Sequence, residues 1–170
     1  MYSDPCFSID AHGPDRLLLI AHRGAAALYP ENTLEAYRAA FASGLRVLEQ
    51  DVCLLGDGAL GVMHDATVDR TTFGTGPTQA FDRAGWRRLR IRTEPHHGPA
   101  FDDIAPPLFD DVLAEFKGRV LFVPEAKTPG SGPALVDALL RAGIAREHAL
   151  VQAFALADLV PAVRVRNIAG

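Results

Sequence analysis

Short apolar runs alternate with amphipathic stretches along most of this chain, and few folds accept that order. Residues 17–21 (LLLIA), 47–54 (VLEQDVCL), 59–64 (ALGVMH), 119–127 (RVLFVPEAK) and 149–154 (ALVQAF) read as five buried strands. Residues 32–43 place Leu34, Tyr37, Ala40 and Phe41 at helical spacing, with Asn32 as the natural N-cap and Gly44 as the stop. Residues 108–116 and 133–144 read as further helices, and 155–163 begins another. Strands separated by helices pair in parallel through right-handed crossovers, so a parallel α/β sheet is expected. The stretch 65–107 is too long for a plain connection, and such excursions commonly serve function. Within it, residues 81–89 read as a short helix.

Length and composition narrow the field further. A chain of 170 residues with 48% apolar and 22% charged residues suits one globular domain. The net charge of -4 gives no electrostatic reason to expect nucleic acid as a partner. No apolar run is long enough to span a membrane or serve as a leader, so the cytoplasm is the expected location. Cys6 and Cys53 are the only cysteines and are expected to be free thiols.

The second strand poses a problem. Glu49 and Asp51 lie two apart, so they share a face, yet like charges repel and buried charges are costly. The other strands also carry ionisable residues at their ends: His22 and Arg23 after the first, His64 and Asp65 after the third, Glu125 and Lys127 at the fourth. Parallel α/β folds place their chemistry at this end of the sheet. A cation between Glu49 and Asp51 would relieve their repulsion, with Glu125 as a third oxygen ligand. An all-carboxylate set favours Mg²⁺ or Ca²⁺. Two histidines beside it would serve as general base and acid, and Arg23 and Lys127 would hold an anion. That combination suits the making and breaking of a phosphate ester.

The segments AHRGAAALYPENTLEAYRAA, GLRVLEQDVCLLGDGALGVMHDATVDRTTFGTG and VPEAK resemble the glycerophosphodiester phosphodiesterase family. The ordered set HRG, PENT, E-x-D, HD and E-x-K carries the likeness, from about Leu18 to the end of the chain. The resemblance implies a TIM barrel that hydrolyses glycerophosphodiesters to an alcohol and glycerol 3-phosphate with one Ca²⁺ or Mg²⁺. It implies Glu49, Asp51 and Glu125 as metal ligands, His22 and His64 as the acid–base pair, and Arg23 and Lys127 around the phosphate. It further implies a cyclic phosphate formed by the glycerol 2-hydroxyl. Residues 65–107 would be the family's insertion after the third strand.

Against that pattern the chain is short. A full barrel has eight strands and about 250 residues. About five of eight βα units are expected in 17–170, following an extension at 1–16. An incomplete barrel leaves two open sheet edges, from which association into a homo-oligomer is expected. Two other readings compete: a non-catalytic barrel used in binding or assembly, and a phospholipase D-like member of the same superfamily. Several residues also have plainer readings. Glu49 and Asp51 would be unremarkable on an exposed edge strand. Asp65 is expected to orient a neighbour, and Glu31 either supports the site or opens a helix. Asp102, Asp103, Asp110 and Asp111 read as loop and helix-start charges, and His96 and His97 as solvated loop residues. Trp86 either packs the insertion or lines the pocket. The run RRLRIR (87–92) reads as a polar face.

Overall fold

The computed structural model of the chain describes residues 17–93, 97, 101 and 103–165. The extension at 1–16, Cys6, His96, Asp102 and the last five residues lie outside them. Helix α1 (Leu34–Ala42) leads into β1 (Val47–Leu54), which turns back into β2 (Leu60–Val62). Helix α2 (Arg83–Arg88) lies in the excursion. The α3 (Phe109–Phe116), β3 (Leu121–Ala126), α4 (Ser131–Arg141), β4 (Gln152–Ala153) and α5 (Leu156–Val165) elements complete the order. The sheet runs β2-β1-β3-β4, with β1, β3 and β4 parallel.

Alternation along β1 and β3 divides their side chains between two faces. Leu48, Val52, Phe122 and Ala126 pack outward against Tyr37 and Ala40 of α1, Val112 and Phe116 of α3, and Leu135 and Leu139 of α4. Val47, Leu121 and Val123 face the other way and form an inner cluster with Leu18 and Leu150. Glu49, Asp51 and Glu125 continue that inner face by the two-residue period. The arrangement is a partial TIM barrel, with helices outside and the carboxylates inside.

Two expectations need correction. The strand at 59–64 does not join the parallel set: β2 pairs antiparallel with β1, with Val52 opposite Val62 and Leu54 opposite Leu60. The tight GDG turn at 56–58 is the reason, since it is too short for a crossover and permits only a hairpin. The run 17–21 is not a buried strand either. It makes a single parallel bridge, Ala21 to Leu48, and Leu17 and Leu19 are largely exposed. Among the described residues no strand covers its outer side. At the far edge β4 shrinks to two residues, leaving Phe154 and Leu156 exposed.

The excursion is itself folded. Trp86, Leu89 and Val68 pack with Cys53, Leu55, Met63 and Leu108 into a second cluster. The Trp86 indole N–H donates to the Pro107 carbonyl at 3.1 Å, so Trp86 packs the insertion onto the sheet rather than lining a pocket. Cys53 is a buried free thiol, pushed up to about 12 chiefly by burial, and is chemically quiet. Arg87 and Arg90 of the basic run pair with Asp111 and Asp103. The Asp111 carboxylate also accepts from the Leu108 N–H at the start of α3, as its helix-start position suggested.

Gly24, just after the first run, shows how closely the site loop seats on α1. Its φ of +81° disfavours any side chain, and an added Cβ would lie 2.7 Å from the Ala36 carbonyl carbon. Gly24→Ala is therefore expected to destabilise the chain by about 2–4 kcal/mol, combining left-handed strain with a clash against backbone. Urea denaturation of the two forms measures this.

Candidate metal centre and its surroundings

The centre begins with β1 and β3 side by side. Their register sets Asp51 opposite Glu125 and Glu49 opposite Val123. One carboxylate oxygen from each of Glu49, Asp51 and Glu125 lies within 4.8 Å of the others. Both Glu49 and Asp51 are buried, which excludes an exposed edge. Burial raises the Glu49 carboxyl, and the nearby Asp51 and Glu125 charges add to it. The Arg23 backbone N–H and charge oppose this, leaving Glu49 at about 7.

Arg23 and Lys127 border the triad. The Arg23 backbone N–H donates to Glu49 Oε2 at 2.8 Å, presented by a left-handed backbone with φ of +56°. Its Nε lies 3.1 Å from Asp51 Oδ2. Lys127 Nζ donates to Glu125 Oε1 at 2.9 Å and lies 3.5 Å from Asp51 Oδ1. His22 stands at the exposed rim, with Nε2 4.0 Å from Glu49 Oε2.

Asn32 is not the helix cap. Thr33 caps α1, its hydroxyl accepting from the Ala36 N–H. Asn32 instead turns inward at φ +59° and donates from Nδ2 to Asp51 Oδ2 at 2.8 Å. The buried Tyr37 hydroxyl donates to Asn32 Oδ1 at 2.7 Å and fixes which way the amide faces. One oxygen of Asp51 is thus held, while its buried Oδ1 has no hydrogen-bond partner.

His64 arrives by a different route. Because β1 continues past its pairing with β3, the hairpin returns the chain to the level of Asp51, whose carbonyl accepts from the Met63 N–H at 2.8 Å. His64 Nδ1 is 2.8 Å from Asp65 Oδ1, and Asp65 accepts from Arg70 Nε at 2.6 Å. Arg70 hydrogen bonding holds Asp65 at about 2, against burial and with help from His64. Arg70 also donates to both oxygens of Glu31, at 3.1 and 2.7 Å, and Glu31 accepts from Arg23 at 3.2 Å. Burial alone would raise Glu31, but Arg70 and Arg23 outweigh it and hold the carboxyl low. His97 is half-buried near Glu31 and Arg70, not solvated as expected.

The structure therefore gathers Glu49, Asp51, Glu125, Arg23 and Lys127 into direct contact, with His22 beside them. His64 joins through Asp65, Arg70 and Glu31. Sequence reasoning missed the inward role of Asn32 and missed Arg70 altogether. The signal for Asn32 was faint, since Asn tolerates the left-handed region but also caps helices. No spacing rule marks Arg70, whose partners lie 5 and 39 residues away.

Strands that carry three inward carboxylates and two bordering cations define a barrel-type chain with a candidate divalent-cation centre. Residues 22–135 match the glycerophosphoryl diester phosphodiesterase family, and the chain belongs to it. A glycerophosphodiester phosphodiesterase of Bacillus subtilis is 32% identical over 133 residues, which cover 75% of this chain and 45% of the relative. Glycerophosphodiester phosphodiesterase 1 of Homo sapiens is 52% identical over 62 residues, covering 36% of this chain and 19% of the relative. The solved glycerophosphodiester phosphodiesterase of Agrobacterium tumefaciens superposes with a TM-score of 0.77 at 28% identity, covering 88% of this chain and 63% of that one. A phosphodiesterase of Oleispira antarctica, solved with its product sn-glycerol-3-phosphate, gives 0.74 at 25%, covering 88% and 62%. The chain thus spans less than half the length of the Bacillus relative. No helix among the described residues is long and apolar enough to cross a membrane.

Proposed function

We propose that this chain hydrolyses glycerophosphodiesters to an alcohol and glycerol 3-phosphate, with one Ca²⁺ or Mg²⁺ held by Glu49, Asp51 and Glu125. The observation that carries this reading is the convergence of Glu49, Asp51 and Glu125, with one oxygen of each within 4.8 Å of the others and Asp51 Oδ1 buried without a hydrogen bond. Lys127 lies 3.5 Å from that oxygen, yet Asp51 and Glu125 still help raise the Glu49 carboxyl, and a cation among the three would offset that repulsion. Oxygen donors alone suit a hard cation. Bound there, that cation would supply positive charge against the phosphoryl oxygens.

The chain's own residues would perform the rest. Arg23 and Lys127 border the triad through Asp51, and both would pair with an entering phosphate. One of His22 and His64 takes the proton from the glycerol 2-hydroxyl as its oxygen bonds to phosphorus. The other gives a proton to the departing alcohol as its P–O bond breaks. Attack from within one bound molecule avoids the entropy of recruiting a second reactant. Water then opens the cyclic phosphate with the two roles exchanged, leaving glycerol 3-phosphate. Asp65, at Nδ1 of His64, leaves Nε2 as the nitrogen for proton transfer.

The test is glycerol 3-phosphate release from glycerophosphocholine by the folded chain, with EDTA, Mg²⁺ and Ca²⁺ in parallel. Metal-dependent release that disappears in Glu49→Ala and His22→Ala is expected. A folded, metal-loaded chain that releases nothing would overturn the proposal.

A further inference from the structure

Arg70 touches none of Glu49, Asp51 and Glu125, yet two lines of contact from the site end on it. Its guanidinium grips Asp65 through Nε and a terminal nitrogen, at 2.6 and 3.1 Å. Its two terminal nitrogens grip Glu31 at 3.1 and 2.7 Å. Each carboxylate in turn holds a different functional side chain. Asp65 holds the imidazole of His64, and Glu31 holds the guanidinium of Arg23. Asp65 belongs to the hairpin side of the site and Glu31 to the loop before α1.

We propose that Arg70 is a positioning residue that fixes His64 and Arg23 relative to each other by clamping Asp65 and Glu31 with one planar guanidinium. The assignment rests on the phosphodiesterase reading for the roles of those two residues. Planarity matters here. Two fork-like grips on one rigid group set the angle between the carboxylates, which a flexible ammonium cannot do. With Asp65 ionised, its oxygen accepts a hydrogen bond from Nδ1–H of the neutral imidazole, which leaves Nε2 as the unprotonated nitrogen. Without Arg70, Asp65 is free to rotate and Glu31 is left to Arg23 alone. His64 then loses its single tautomer, and Arg23 shifts away from Asp51.

The experiment combines imidazole ¹⁵N spectra of the full chain with steady-state kinetics, in wild type, Arg70→Met and Arg70→Lys. His64 is assigned by a His64→Gln control, and spectra are taken where the ring is neutral. Wild type is expected to show His64 with the proton on Nδ1, and Arg70→Met a mixture of tautomers. Arg70→Lys restores charge without the fork and is expected to fall between them; it also decides the question if Arg70→Met does not fold. In turnover, kcat of Arg70→Met is expected to drop by about 10- to 100-fold with KM within about threefold, the pattern of a lost orienting contact. A His64 signal unchanged by the substitutions overturns the assignment, whatever the kinetics. If wild type hydrolyses no diester, the phosphodiesterase reading fails, and the spectra alone still decide what Arg70 holds.

Discussion

Asp51→Asn is expected to weaken Ca²⁺ binding by about 100-fold or more, because ligand charge and geometry both suffer at once. The substitution keeps the size of the side chain, so the fold should survive. Its orientation is not free. The position of Oδ2 accepts from the Asn32 amide at 2.8 Å, and Tyr37 prevents that amide from turning over. The new carboxamide oxygen must therefore take the Oδ2 place. Its NH₂ then occupies the place of Oδ1, the one oxygen of Asp51 with no hydrogen bond. A donor would point where a cation is to sit, and toward Lys127, 3.5 Å from that atom. Calorimetric titration with Ca²⁺ measures the loss. An affinity within a few-fold of wild type would remove Asp51 from the ligand set.

The second large effect is on stability against pH. Without metal, the chain is expected to lose about 3 kcal/mol of stability as pH rises from about 4.5 to about 7, through Glu49 alone. Burial and the neighbouring Asp51 raise this carboxyl from the ordinary 4.5 to about 7. The folded state thus holds the proton more tightly than the unfolded state. Its contribution is fully present below about 4.5 and is lost as pH climbs through about 7. Asp65, held at about 2, acts in the opposite sense and only at lower pH, so it does not enter this window. Urea denaturation in EDTA across this range should show the slope, and Glu49→Gln should flatten it. Saturating Ca²⁺ should restore the lost stability at high pH, since a ligand that binds only the folded state stabilises it. A wild-type slope no steeper than that of Glu49→Gln would contradict the raising of Glu49 by burial and its neighbours.

Much of this centre was legible in the primary structure because strands impose a strict period of two. Glu49 with Asp51, and Glu125 with Lys127, had to project from single strands as pairs. Apolar neighbours such as Val47 and Val52 marked β1 as interior. The helices were legible for the same kind of reason, although α4 begins at Ser131 rather than at 133. What periodicity cannot show is which way a strand runs. The run 59–64 has the same alternation whether it crosses over or folds back, and only the short turn decides. Nor does periodicity reach contacts made by irregular backbone. Asn32 and Arg70 act from loops, through partners fixed by the tertiary fold, and their neighbours in the chain give no period to read.

The roots of the excursion meet. The Val62 N–H donates to the Pro107 carbonyl at 3.1 Å, and Gly61 bridges Leu108, so the chain leaves the sheet and returns to it at one place. Between those roots it is fastened again, through Trp86 and Leu89 against Cys53 and Leu55 and through the Phe81 carbonyl, which accepts from the Gly56 N–H at 2.9 Å. A loop replaced between Asp65 and Pro107 would therefore have to supply a new packing partner for the C-terminal end of β1 as well as a path back to Leu108. Sequence change in this stretch is thus constrained at two places, by the packing of Trp86 under Pro107 and by the contacts of Arg70 with Asp65 and Glu31.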